Sequence, residues 1–243
     1  MRVAVAGATG RTGSEIVAEA RERGHTVHAL SREPVGEERD IAHLPAVLRD
    51  ETDVLIDFTV PEATVDHVQV AAETGTPIVV GTTGFSEEGL DALSDAAEST
   101  PVLRASNFAP GVQALLRVVR AGVEALPEYD IEMTETHHNG KRDAPSGTAN
   151  TVLNEIDAAR EAALERVYGR EGEQPREDGE VGVHVRRAGN VRGEHEVLLA
   201  GNDEVLTLTH RAESRRVFAA GAVDAAEWVR EQDAGEYEFS ETL

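Results

Sequence analysis

His137, His138 and Lys141 stand within five consecutive positions, followed by Asp143 and then by Pro145-Ser146-Gly147-Thr148. Histidine is the side chain whose ordinary titration range lies near neutrality, so it suits general acid–base work. Lysine is a compact ammonium that can give up its proton, whereas arginine is effectively never deprotonated. That contrast carries weight, because Lys141 is the only lysine among 243 residues, against 22 arginines. A Pro-Ser-Gly-Thr start opens a helix whose first N–H groups have no partner inside the helix and so form an anion site. His137 and Lys141 are therefore the candidate catalytic pair. His138 and the helix start Ser146-Gly147-Thr148 are candidate contacts to an anionic substrate. Zinc held by His137 and His138 is not expected, since adjacent strand residues diverge and no third ligand is evident; no metal is assigned.

A second cluster lies in "GATGRTG", with Gly7, Gly10 and Gly13 between an apolar run and a helical pattern. Glycines let backbone turn sharply and approach a pyrophosphate, and the helix start supplies N–H groups and a positive dipole end. The spacing G-x-x-G-x-x-G differs from the commoner G-x-G-x-x-G, but the strand–turn–helix context points to a dinucleotide. Ser31 and Arg32 end the second apolar run, where an acid would bind a ribose 2′-hydroxyl and an arginine accommodates a 2′-phosphate. NADPH is the expected cofactor, with NADH as the second choice. "GTTG" at 81–84 and "ASNF" at 105–108 end two further apolar runs, at the sheet edge where such folds bind ligands.

These residues need a scaffold. Apolar runs at 2–7, 25–30, 53–59, 77–84 and 101–107 alternate with helical patterns at 8–24, 61–74 and 87–100. Strands apolar on both faces and separated by helices predict an α/β, Rossmann-like, doubly wound parallel sheet. The intervening 31–52 is short and is assigned no element. A helix over 111–126 follows, then a strand at 130–138, a helix at 146–165 and an acidic loop at 169–180. Strands at 180–187, 193–201 and 204–212 alternate apolar and polar residues, which predicts antiparallel pairing with one face free, and a turn at 201–204 joins the last two. A long helix over 214–232 closes the chain. We expect a dinucleotide-binding domain of residues 1–108 with 214–243, and an α+β substrate-binding and oligomerisation domain of residues 109–213.

Composition narrows the function. The 23 basic and 46 acidic residues leave a net charge of −23, which repels nucleic acid and anionic membranes. High acidity, one lysine and few aromatics are the pattern of proteins from salt-loving organisms, where dense salt screens self-repulsion. No cysteine is present, so thiol catalysis and disulfides are excluded. No apolar run is long enough to span a bilayer, and the N-terminal residues read as lacking a targeting peptide, so a cytoplasmic location is expected.

The segment "ETHHNGKRDAPSGTA" resembles the signature E-x-HH-x-x-K-x-D-x-PSGTA of the 4-hydroxy-tetrahydrodipicolinate (dihydrodipicolinate) reductase family. The likeness continues through "GATGRTG", "DVLIDFTVPEAT", "VVGTTGF", "ASNFAPGV", "GEHEV" and "THRAESRRVFAAGAVDAAEWV". Two departures stand out: Ala109 where the family more often has serine, and Ser31 where it often has an acid. The resemblance implies reduction of a cyclic dicarboxylate imine by NAD(P)H, on the diaminopimelate route to lysine. It assigns His137 as acid/base and Lys141 as proton donor, and matches His138, Gly147 and Thr148 to substrate carboxylate contacts. Arg215, in "ESRR", is a further candidate for the dianion. Gly7, Ala8, Thr9, Gly10, Arg11 and Thr12, then Gly81, Thr82 and Thr83, then Ala105, Ser106, Asn107 and Phe108 match the cofactor contacts. The resemblance also implies domain closure on binding and a homotetramer joined through the C-terminal sheets. The rival readings are a non-enzymatic NADP(H)-binding regulator, which has no use for the His137–Lys141 cluster, and another amino-acid dehydrogenase.

Overall fold

The computed structural model describes residues 1–243. The chain forms two compact units, Met1–Ala109 with Arg215–Leu243, and Pro110–Ser214. Along the chain the first unit contains β1 (Arg2–Ala6), α1 (Gly13–Glu22), β2 (Thr26–Ser31), β3 (Arg39–Asp40), α2 (Leu44–Glu51), β4 (Val54–Asp57), α3 (Pro61–Thr74), β5 (Ile78–Val80), α4 (Glu87–Ala97) and β6 (Pro101–Arg104). The second unit follows with α5 (Pro110–Ala125), β7 (Asp130–His137), α6 (Gly147–Ala158), β8 (Glu165–Tyr168), β9 (Glu180–Arg187), β10 (Glu194–Gly201) and β11 (Glu204–Arg211). The chain then returns to the first unit with α7 (Arg216–Val229) and β12 (Gly235–Glu238). Among the described residues, no helix is long and apolar enough to cross a membrane.

All seven strands of the first sheet run parallel, in the order β12-β6-β5-β4-β1-β2-β3. Val3, Ala4, Val5 and Ala6 of β1 are fully buried, as a strand covered on both faces requires. Val3, Val5 and Ile56 face a layer that contains Ile16 of α1 and Ala222 and Val223 of α7. Ala4, Ala6 and Leu55 face the opposite layer, with Leu44, Val68 and Leu93 from α2, α3 and α4. The strand order reverses between β1 and β4. Chain crossings leave in opposite directions there and open a crevice at the carboxyl ends of the strands.

The second sheet is mixed, in the order β11-β10-β7-β9-β8. Along β7 exposure alternates, with Ile131, Met133, Glu135 and His137 buried. The β10–β11 hairpin turns at Asn202 and Asp203, which hold φ of 49° and 61°, the left-handed pair a two-residue hairpin of this kind needs.

Several expectations are corrected. The stretch 31–52 holds β3, a short 3₁₀ turn and α2, whose buried Leu44, Val47 and Leu48 have helical spacing that "LPAVLRD" displays. The helix expected over 146–165 stops at Ala158, and β8 follows. β9 pairs parallel with both β7 and β8, because the long connection from α6 to β9 lets the chain cross over rather than fold back. β11 is an edge strand, largely exposed on both faces. β12, unassigned from the sequence, adds a seventh parallel strand beside β6.

Candidate active site

In the first unit the reversal between β1 and β4 opens a cleft of about 500 Å³. Of the expected cofactor contacts, Gly7, Thr9, Gly10, Ser31 and Arg32 line it. Gly7 sits at φ +82°, and a Cβ there would come 2.6 Å from the Phe58 carbonyl oxygen. A Cβ on Gly13 would collide with the Gly7 carbonyl. The turn is thus closed by backbone packed on backbone, and the N–H groups of Gly7 and Ala8 both donate to Leu30 O at 3.1 Å. Ser31 Oγ lies 3.0 Å from Thr9 Oγ1 and accepts the Glu33 N–H at 3.2 Å. Arg32 and Arg11 are exposed, Thr12 half-buried.

The remaining expected contacts stand at the ends of β5 and β6, outside the walls of that cleft. Gly81 packs under the Phe58 ring, which any Cβ would strike. Thr82 is buried, and its hydroxyl donates to Asp57 at 3.2 Å while receiving the Thr64 hydroxyl at 2.9 Å. Thr83 and Ser106 are exposed, and Ala105 is half-buried. Asn107 Oδ1 accepts the Ala109 N–H and turns the chain toward α5. Phe108 is a core residue, its ring 5.5 Å from Phe58 and 5.2 Å from Phe239. Its carbonyl packs against Gly221, where a Cβ would strike it.

Sequence reading overlooked the network beneath the cleft. Fully buried Asp57 ends β4 and accepts from Thr59 N–H and hydroxyl, Thr64 and Thr82, while its second oxygen meets His67 Nδ1 at 2.6 Å. His67 lines the cleft together with Phe58, Thr59 and Val60. The signal was an aspartate closing an otherwise apolar strand, "VLID", with threonines just after it. A buried carboxylate demands that many donors.

In the second unit β7, β10 and β9 bring the titratable groups to one face. His195 lies directly opposite Glu135 in the β10–β7 register, and Arg187 opposite His137 in the β7–β9 register. Paired residues share a face. Glu135 is fully buried. Its Oε2 lies 2.6 Å from His137 Nδ1, and its Oε1 accepts from Arg187 Nη2 at 2.8 Å and from the Ser146 N–H at 3.1 Å. Burial alone would raise its pKa, but the close His137 ring and the hydrogen bonds from Arg187 and Ser146 outweigh burial and lower it to about 2. The His137 and His195 rings meet edge to face, 5.2 Å apart. Burial, helped by the neighbouring His137, pushes His195 down to about 4, so it is neutral at working pH.

The turn after β7 carries Lys141. Its N–H donates to the His138 carbonyl, and its Nζ holds Asp143 at 2.8 Å. That bond outweighs burial and keeps the Asp143 carboxyl below its ordinary range. Arg187 also donates to the Asp143 carbonyl at 2.6 Å. Ser146 is the N-cap of α6: its buried hydroxyl accepts the Ala149 N–H and lies 3.2 Å from His195 Nε2. Gly147 is exposed, and a Cβ there would meet nothing within 4 Å, so the helix start faces open space. Thr148 is buried, His138 half-buried. Arg215 belongs to the first unit, at the head of α7.

Ser146 engages its hydroxyl with the cap and with His195. One reading changes. A set of three donors does surround His137: ligand atoms of Glu135, His137 and His195 lie within 4.8 Å of one another. Yet Glu135 already serves Arg187 and the Ser146 N–H, and a guanidinium on that carboxylate opposes a second cation. The set is suited to moving protons.

The N-terminal model of dihydrodipicolinate reductase matches residues 1–108, and its C-terminal model matches residues 111–243. The 4-hydroxy-tetrahydrodipicolinate reductase of Natronomonas pharaonis is 68% identical, over 100% of both chains. That of Haloarcula marismortui is 49% identical, over 100% of this chain and 98% of its own. A solved structure, dipicolinate-bound dihydrodipicolinate reductase from Paenisporosarcina sp. TG-14, superposes with a TM-score of 0.81 at 25% identity, covering 100% of this chain and 99% of that one. Family models over both units, and relatives matched from end to end, lead to one conclusion: this chain belongs to the dihydrodipicolinate reductase family.

Proposed function

We propose that this protein reduces 4-hydroxy-tetrahydrodipicolinate to tetrahydrodipicolinate with NADPH, using His137 and Lys141 to manage the proton. The observation that carries the chemistry is the buried Glu135–His137 contact beside an open helix start, in a chain whose one lysine lies on the adjoining turn. The cofactor supplies hydride, and the fit of the first unit to a dinucleotide rests on the Gly7–Gly13 turn, where any added Cβ meets backbone. Arg32, with serine rather than an acid at position 31, supports preference for the 2′-phosphate. The N–H groups of Gly147 and Thr148, the His138 ring and the Lys141 ammonium are suited to hold a dicarboxylate in a molecule of charge −23. With those carboxylates held, His137 Nε2 or Lys141 Nζ protonates the reduced ring.

Acidity of this degree, shared with a 68% identical relative from a halophile, supports activity in concentrated salt. The largely exposed edge strand β11, with Val205 61% and Leu206 38% exposed, supports a homotetramer joined through the second sheet. Light scattering in molar KCl tests it: a monomer sinks that part.

The decisive test is NADPH oxidation in molar KCl, with substrate made in place from pyruvate and aspartate semialdehyde, for wild type and Lys141→Arg. Wild type turns over, and the arginine variant loses at least about 100-fold in kcat while still binding NADPH. An inert wild type that binds NADPH favours a binding-only regulator. An active Lys141→Arg reduces Lys141 to a fixed charge.

A further inference from the structure

In the reading above Glu135 enters only as the neighbour of His137, and Arg187 not at all, yet both are held by several partners. We propose that Glu135 is a positioning residue that fixes His137 with its proton on Nδ1, so that Nε2 alone exchanges a proton with the substrate. This rests on His137 being the acid/base.

The geometry leaves the carboxylate little choice. Glu135 and His137 are two residues apart on β7, so they share a face. Oε2 lies 2.6 Å from His137 Nδ1, an ion-pair contact in which the ring N–H is not aligned as a hydrogen bond. An ionised carboxylate at that distance repels a ring-nitrogen lone pair and attracts an N–H, so it favours the proton on Nδ1. Oε1 is tied to Arg187 and to the Ser146 N–H, which stops the group from rotating away or taking up the proton itself. Arg187 is brought there by its register with His137, and its bond to the Asp143 carbonyl secures the turn that bears Lys141. Gly193 completes the arrangement: a Cβ at that position would come 3.2 Å from His137 Nε2, so glycine avoids crowding that nitrogen. When Nε2 gives its proton to the reduced ring, the histidine becomes the neutral Nδ1–H form and Glu135 stays ionised. When Nε2 recovers a proton, the imidazolium returns with the same partner in place.

The test uses the full chain in molar KCl. Glu135→Gln is expected to lower kcat between about 10²- and 10⁴-fold, the range lost when an orienting carboxylate is removed, with NADPH affinity unchanged. Glu135→Asp, which keeps the charge, regains at least about a tenth of wild-type kcat. Histidine-labelled ¹⁵N spectra, recorded above the ordinary histidine range, show His137 protonated on Nδ1 in wild type and a mixture of tautomers in Glu135→Gln. Full activity in a folded Glu135→Gln overturns the proposal, as does an Nε2–H tautomer in wild type. The wild-type spectrum decides even if Glu135→Gln fails to fold. It is independent of turnover, so an inert wild type overturns the function while this assignment is judged separately.

Discussion

Around its cleft the first unit works largely through atoms that its glycines lack, whereas the second works through side chains that hold one another. At Gly7, Gly13 and Gly81 a single added carbon would strike backbone or the Phe58 ring. At Glu135, His137, His195 and Arg187 the positions depend on charge and tautomer. A site made of backbone is insensitive to pH and answers to bulk alone. A site made of buried titratable groups answers to pH as well.

Substitutions can break or sharpen that contrast. The largest effect is expected at His137→Gln, which should lower kcat by about 10²- to 10⁴-fold and leave NADPH binding intact in a fluorescence titration. If cofactor affinity falls with it, the two units do not divide the work as argued. Next comes pH. His195 has its pKa lowered from 6.5 to about 4 by burial, so its contribution to stability is complete above pH 6.5 and is lost as pH falls toward 4. That loss is on the order of 3 kcal/mol. Glu135, lowered from 4.5 to about 2, adds a second loss over that lower window. Melting curves should show His195→Gln flattening the upper part of the decline and leaving the lower part. An unchanged profile rejects the account of His195.

Gly13→Ala should cost about 1–3 kcal/mol of strain and weaken NADPH roughly ten- to hundredfold, with no change in the pH profile of turnover. The smallest effect is at Ser31→Asp, which sets a carboxylate against a 2′-phosphate and should move the NADH-to-NADPH ratio of kcat/KM toward NADH by about tenfold. No movement would mean that Ser31, bonded to Thr9, is only part of the turn.

The parallel sheet was legible because Val3–Ala6 of β1, Val54–Ile56 of β4 and all of β5 are apolar on both faces, which only a strand covered on both faces tolerates. The turn that bears Lys141 was legible as a candidate site because lysine is otherwise missing. What escaped depends on partners distant in sequence. Glu135 reads as one of 46 acids until the register sets it against His195, 60 positions on, and Arg187. His195 sits in an alternating strand with nothing local to mark it. β9 has the alternation of an antiparallel strand, and its parallel pairing comes from the crossover. β12 is short and polar enough to pass for a tail, since it borrows its order from β6.

The return of α7 and β12 to the first sheet has a consequence for synthesis on the ribosome. Strands β1 to β6 emerge early, but Val3, Val5 and Ile56 share their layer with Ala222 and Val223 of α7, which is made after the whole second unit. Until then α1 alone covers that face of the sheet, much of it stays an open apolar surface, and β6 is an unpaired edge. The cofactor-binding half is thus begun first and finished last, and a nascent chain halted before Arg216 should need a chaperone, or dense salt, to stay in solution.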